Sequence, residues 1–139
     1  MLVKDNQGRS ASIKISKYLI DWDAKCCSKF QTDVQAFFKR FWYKHVCGVE
    51  VRIPRKLLRF DLVNFTKKII IESNGDQHEN FSEFFHQGSR SKFLLQMGRD
   101  KEKRQWAELN GFAFVEIYPD DLPNLSLKWF RDKYQLEIT

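Results

Sequence analysis

The stretch from Arg59 to His78, RFDLVNFTKKIIIESNGDQH, decides how this chain is read. Apolar runs on either side of NFTK have the composition of two strands joined by a tight turn. Each run also carries one acidic residue, Asp61 and Glu72, although Asp and Glu are poor strand formers. A hairpin centred near Phe65 and Thr66 sets Asp61 opposite about Ile70. Glu72 is then its diagonal neighbour on the same sheet face, within about 7–8 Å. Two carboxylates that close repel unless a divalent cation or a shared proton lies between them. Gly75, Gln77 and His78 follow at once. Gly75 allows a sharp turn, Gln77 can orient a water or contact a phosphate, and the near-neutral pKa of histidine suits general acid or base work.

Outward from this hairpin, VEVRI precedes LLRFDLV across the turn-prone Pro54, so the three strands read as an antiparallel meander. Upstream, Phe30, Val34, Phe37, Phe41 and His45 recur at three or four residues. They predict a helix from about Ser28, a plausible cap, to Val46 before Gly48, with His45 as a core or helix-end residue. Residues 1–20 are polar and then alternate as SIKISKYLI, a short strand or an arm that packs late. Downstream, GDQHENFSEFFHQGSR reads as an ordered loop with room for a short helical turn, in which Phe81, Phe84 and Phe85 anchor the chain or, as the less common alternative, stack on bases, and His86 is a surface residue or a substrate contact. A long helix spans about Arg90 to Asn110 and ends at Gly111. FAFVEIY is a further strand, PDDLPN a loop and LSLKWFRDKY a terminal helix. The order α-β-β-β-α-β-α describes an α/β protein with a mixed sheet flanked by helices. No internal repeat, low-complexity tract or linker interrupts it.

At 139 residues the chain is one domain, 1–139, with its core at about 28–122. An apolar share of 42%, with 13 Phe and 4 Trp, excludes a disordered chain, and the tryptophans are most simply core or core-edge residues. Lys and Arg number 24 against 18 Asp and Glu, a formal charge of +6 with a pI near 9.3, which favours a polyanionic partner. The basic residues fall in small groups, Lys39 and Arg40, then Arg52, Arg55, Lys56 and Arg59, then Lys67 and Lys68, then Arg99 to Arg104. Each group alone could be a solvated face; together they could displace counterions from several phosphates. Cys26, Cys27 and Cys47 are odd in number and lack a CxxC pair, so neither a disulfide framework nor a cysteine zinc site is expected. They read as small hydrophobes in a reduced, cytoplasmic setting. No signal peptide is visible, and no apolar run approaches the roughly 20 residues of a membrane span.

Asp100 shares a helix face with Phe93, Met97, Arg104 and Ala107. A carboxylate facing the sheet is expensive unless paired. It either pairs with Arg104 at i+4 or reaches toward the hairpin carboxylates, where it could orient His78. Arg59, Lys103 and Arg104 are candidates for phosphate contact, with solvent-facing charge as the alternative for the helix residues.

The succession of Asp61 on one strand, IIIESNGDQH, EFF, a helix bearing RDKEKRQW and then NGFAFVEI resembles the PD-(D/E)XK endonuclease-like superfamily. Within it, the chain is most similar to the branch of very-short-patch-repair-type nucleases and related phage-type homing endonucleases. The resemblance covers about residues 28–122 and implies a restriction-endonuclease-like fold. It implies that Asp61 binds a catalytic Mg2+ or Mn2+ and that Glu72 is the acidic residue of the second half-motif. The lysine two positions after Glu72 is replaced by Asn74, and the resemblance gives that lysine's function to His78 and Asp100. A first-helix glutamate of the branch aligns with Gln31, a neutral ligand at best. The zinc-binding residues of mismatch-repair members are not evident. The expected activity is metal-dependent hydrolysis of phosphodiester bonds in DNA, nicking or homing-type and phage-encoded, with RNA not excluded. The alternative is a non-cleaving nucleic-acid-binding protein on a nuclease fold; a hydrolase of small phosphate esters is disfavoured because no Gly-rich phosphate loop is present. A double-strand break would need a homodimer or two sequential nicks, and long-site recognition an accessory protein.

Overall fold

Ile69, Ile70 and Ile71 are each no more than 1% exposed, because the strand that carries them has a packed layer on both faces. Such a strand needs a continuous apolar run, whereas a strand with one wet face would alternate. The computed structural model describes residues 1–25, 28–74 and 90–139. Within them the chain forms β1 (Leu2–Lys4), β2 (Ser10–Ser12), α1 (Lys29–Trp42), β3 (Cys47–Arg52), β4 (Arg59–Asn64) and β5 (Ile69–Ser73). Then come α2 (Arg90–Leu109), β6 (Ala113–Ile117) and α3 (Leu127–Tyr134). β1 and β2 pair as an antiparallel hairpin, and the main sheet has the order β3-β4-β5-β6. The meander β3-β4-β5 is antiparallel as expected, and β6 runs parallel to β5, so the sheet is mixed. A parallel neighbour requires a long crossover, and the crossover here contains α2. The described residues are thus of α/β class, and after the hairpin their elements follow the order α-β-β-β-α-β-α.

One face of the sheet is covered by α1 and α3. Val34, Phe38 and Trp42 of α1 and Phe130 of α3 pack on Leu62, Ile69, Ile71, Val115 and Ile117. The buried line of α1 therefore runs through Val34, Phe38 and Trp42, with Phe30, Phe37 and Phe41 only partly buried beside it. This is a small rotation from the expected stripe. It is fixed by Trp42, whose ring stacks on Phe38 at 4.3 Å and whose Nε1 donates to the Ile138 carbonyl at 2.7 Å. Ser28 caps the helix by accepting the Gln31 N–H. His45 lies just beyond the helix, its Nδ1 3.0 Å from Asn64 Nδ2.

The other face is covered by α2 and the N-terminal hairpin. Trp106, Ala107, Phe112, Val3 and Ile13 pack on Val51, Ile53, Phe60, Val63 and Ile70. Residues 1–20, expected as a strand or late-packing arm, are therefore built into the core. Asp5 fastens them: it accepts the N–H groups of Gln7 and Arg9 and the guanidinium groups of Arg9 and Arg55. Gly8, at φ +79°, makes the turn. Burial of each large apolar side chain contributes about 1.5–3 kcal/mol before entropy is set against it.

The turn between β4 and β5 is longer than the sequence implies. Phe65–Lys68 form it, Asn64 Oδ1 accepts the Lys67 N–H, and Lys68 takes φ +56° without being glycine. The hairpin centre shifts by one residue, so the partner of every β4 residue shifts by two. Leu62 pairs with Ile71, and Asp61 comes level with Glu72 rather than Ile70. Gly111, at φ +74°, ends α2 as expected, whereas PDDLPN, read as a loop, is a 3-10 helix over Pro119–Asn124. Among the described residues no helix is long and apolar enough to cross a membrane.

Candidate active site

One acidic residue per strand lines up across the whole sheet. Val49 pairs with Leu62 and Val51 with Phe60, which brackets Glu50 against Asp61. The step beyond Leu62 and Ile71 sets Asp61 beside Glu72, and Glu72 pairs with Glu116 on β6. Like charges directly opposite one another destabilise a sheet, so this row requires compensation. The strands are also irregular at its level. Glu50 has φ +50°, and Val49 and Val51, two apart, enter opposite cores. Phe60 and Leu62 do the same on either side of Asp61.

Compensation comes mainly from α2. Gln96, Asp100 and Lys103 recur at helical spacing and face a polar cleft of about 200 Å³ whose floor includes Asp61, Glu72 and Asn74. Lys103 Nζ lies 3.0 Å from Glu72 Oε1. That oxygen is buried, and the ammonium is its ion-pair partner. Burial first, and then the Asp61 carboxylate and a hydrogen bond to it, push Glu72 up to about 9, outweighing Lys103. The Ser73 N–H donates to Asp61 Oδ2 at 2.8 Å and pins that side chain to β5.

Glu116 is held by Arg104 at 2.6 Å and by the Tyr118 hydroxyl at 3.0 Å, and burial together with Glu116 pushes Tyr118 up to about 12. Asp100 accepts from Gln96 Nε2 at 3.2 Å, while Arg104, its expected i+4 partner, turns to Glu116. Burial and the charge of Glu116 raise Asp100 above the ordinary carboxylate range. A second cavity, about 450 Å³ and mostly apolar, lies between α1 and the sheet, with Gln31 and Asp61 both on its wall.

Asp61, Glu72 and Asp100 are thus brought together. Lys103 and Arg104, expected at phosphates, are spent on Glu72 and Glu116, and Arg59 Nη1 lies 3.9 Å from Glu50 with its side chain half-exposed. Gln77 and His78, with Gly75 and His86, lie outside the described residues, as do Cys26 and Cys27. Cys47 is a core residue whose thiol burial pushes up to about 12. Glu50 and Glu116 were missed, although VEVR and FVEI carry the same signal as RFDLV and IIIES: one acid inside an apolar strand.

Among the described residues no three His, Cys, Asp or Glu side chains converge to hold a metal ion. Asp61 and Glu72 by themselves fit a hard cation, since they are adjacent oxygen donors, one oxygen of Glu72 is buried, and Mg2+ commonly takes one or two carboxylates and completes its shell with water and phosphate. Comparison of the chain with family models, with curated proteins and with solved structures gives no match. The likeness to the endonuclease-like superfamily therefore rests on the motifs quoted above.

Proposed function

We propose that the chain is a Mg2+- or Mn2+-dependent endonuclease that hydrolyses phosphodiester bonds, with DNA as its substrate, on a restriction-endonuclease-like fold. The observation that carries this reading is the Asp61–Glu72 pair at the floor of a polar cleft, with the Lys103 ammonium beside it, in a chain of net charge +6. Asp61 and Glu72 would hold the cation, Asp61 being fixed by the Ser73 N–H. The cation, when bound, supplies Lewis-acid polarisation of the phosphoryl group and a more acidic water. Lys103 holds a positive charge 3.0 Å from Glu72, and beside a bound phosphodiester it would stabilise negative charge developing on the attacked phosphoryl group. This takes up in space the part of the lysine that Asn74 replaces in the motif. Asp100, with its raised pKa, is a carboxyl able to hold or pass a proton, and by resemblance Gln77 and His78 serve the attacking water.

A second reading, a non-cleaving nucleic-acid-binding protein on the same fold, draws on Gln31, Asn74 and the lack of a three-ligand cluster among the described residues. Incubation with supercoiled plasmid and Mg2+ or Mn2+, beside Asp61→Ala, separates the two. Nicking by the wild type alone supports the enzyme; binding without nicking in either metal supports the other reading.

A further inference from the structure

Among the basic residues around the β3–β4 hairpin, two are tied down by acids from outside the hairpin. Arg55 Nη1 lies 2.8 Å from Asp5, and Lys56 Nζ lies 3.7 Å from Glu102. Arg52 and Arg59 are different. They are direct cross-strand partners, a placement of like charges that weakens a sheet unless an anion or a carboxylate offsets it. Both line a groove of about 260 Å³ with Lys17, Tyr18 and Glu50. Glu50 is the single acid on that lining; it reaches Arg59 at 3.9 Å, and among the described residues neither Arg52 nor Lys17 has a carboxylate within ion-pair distance. Three cations against one carboxylate leave the groove positive.

The chain holds Lys17 there by a specific device. Residues 18–20 lie along the edge of β3, where Tyr18 O accepts the Val49 N–H, the Ile20 N–H donates to Cys47 O and Leu19 bridges to Gly48. The approach is so close that a Cβ on Gly48 would meet Tyr18 Cβ at 3.2 Å and Phe65 and Val51 at 3.1 Å. Lys17 then extends past Tyr18, its Nζ 5.8 Å from the ring centroid. Glu50 on its wall is the first member of the carboxylate row that runs on to Asp61 and Glu72. Arg52 and Arg59 stand two residues from Glu50 and Asp61 along their strands, about 7 Å away.

We infer that Lys17, Arg52 and Arg59 form a phosphate subsite that holds the nucleic-acid backbone beside the scissile bond, and so set the direction in which the strand crosses the cleft. This rests on the nuclease reading for its orientation, but not for the phosphate contact itself. All three side chains are exposed or half-exposed, so neutral variants will fold.

The test is fluorescence anisotropy of a fluorescein-labelled DNA duplex of random sequence, in EDTA, over a range of salt concentrations. Wild type is compared with Lys17→Gln and Arg52→Gln, and with Lys128→Gln on α3 as a control for net charge. The log–log salt slope should fall by about one in each groove variant and by clearly less in the control. An unchanged slope in both groove variants, an equal fall in the control, or no duplex binding by the wild type would overturn the subsite. Plasmid nicking by the wild type reports the nuclease reading separately. A protein that shows the expected slopes and never nicks keeps the subsite and loses the nuclease; one that nicks with unchanged slopes does the reverse.

Discussion

Glu72 lies level with Asp61 across the β4–β5 ladder, and its buried Oε1 faces the Lys103 ammonium at 3.0 Å. A carboxylate so placed holds its proton to about pH 9, because burial and Asp61 together outweigh one lysine. The cluster is incomplete without a proton or a cation.

Stability of the metal-free protein should therefore fall as pH rises. Above about pH 4.5 an unfolded Glu72 has lost its proton, whereas the folded one keeps it to about 9. Across that window the folded state binds one proton more, so each pH unit costs about 1.4 kcal/mol from this group. Glu72→Gln carries no titrating proton and should flatten the dependence. Urea unfolding in EDTA from pH 5 to 9 measures it; equal slopes for both proteins would remove the shared proton.

Lys103→Gln should lower cleavage by about 10²–10³, the usual cost of removing a charge aimed at the reacting group. Duplex binding and its salt slope should stay as in wild type, because the ammonium is only 19% exposed and already faces Glu72. A slope lower by about one would return Lys103 to the phosphate contacts.

An element is legible in the sequence only where a local force decides it. Strand β5 is legible because a continuous apolar run is a strong signal, and Gly111 marks the end of helix α2. The hairpin register is not, since Lys68 adopts a left-handed conformation with no glycine to announce it; that one residue moved Asp61 from Ile70 to Glu72. Strands β1 and β2, of three residues each, are too short for any period, and Asp5 and Arg55, which hold them, are distant in sequence. Asp61, Glu72 and Asp100 were found as charges in apolar settings. The role of Lys103 was hidden because a helix face does not say which carboxylate it will meet.

Gln31→Glu should tighten metal binding and lower the Mg2+ concentration that cleavage needs. Gln31 and Asp61 share the wall of the cavity under α1, so a carboxylate there adds negative charge close to the pair. Cleavage should rise most at limiting Mg2+. No gain at any metal concentration would detach Gln31 from the site.

We propose that Asp61 and Glu72 hold one divalent cation in place of a proton. Calorimetric titration with Mn2+ at pH 7, in two buffers of different ionisation enthalpy, tests it directly. Wild type should bind with release of about one proton per ion, since burial and Asp61 push Glu72 up to about 9 without metal. Asp61→Asn and Glu72→Gln should each lose binding. Undiminished binding in both variants, or no binding by the wild type, would show that this pair is not a metal site.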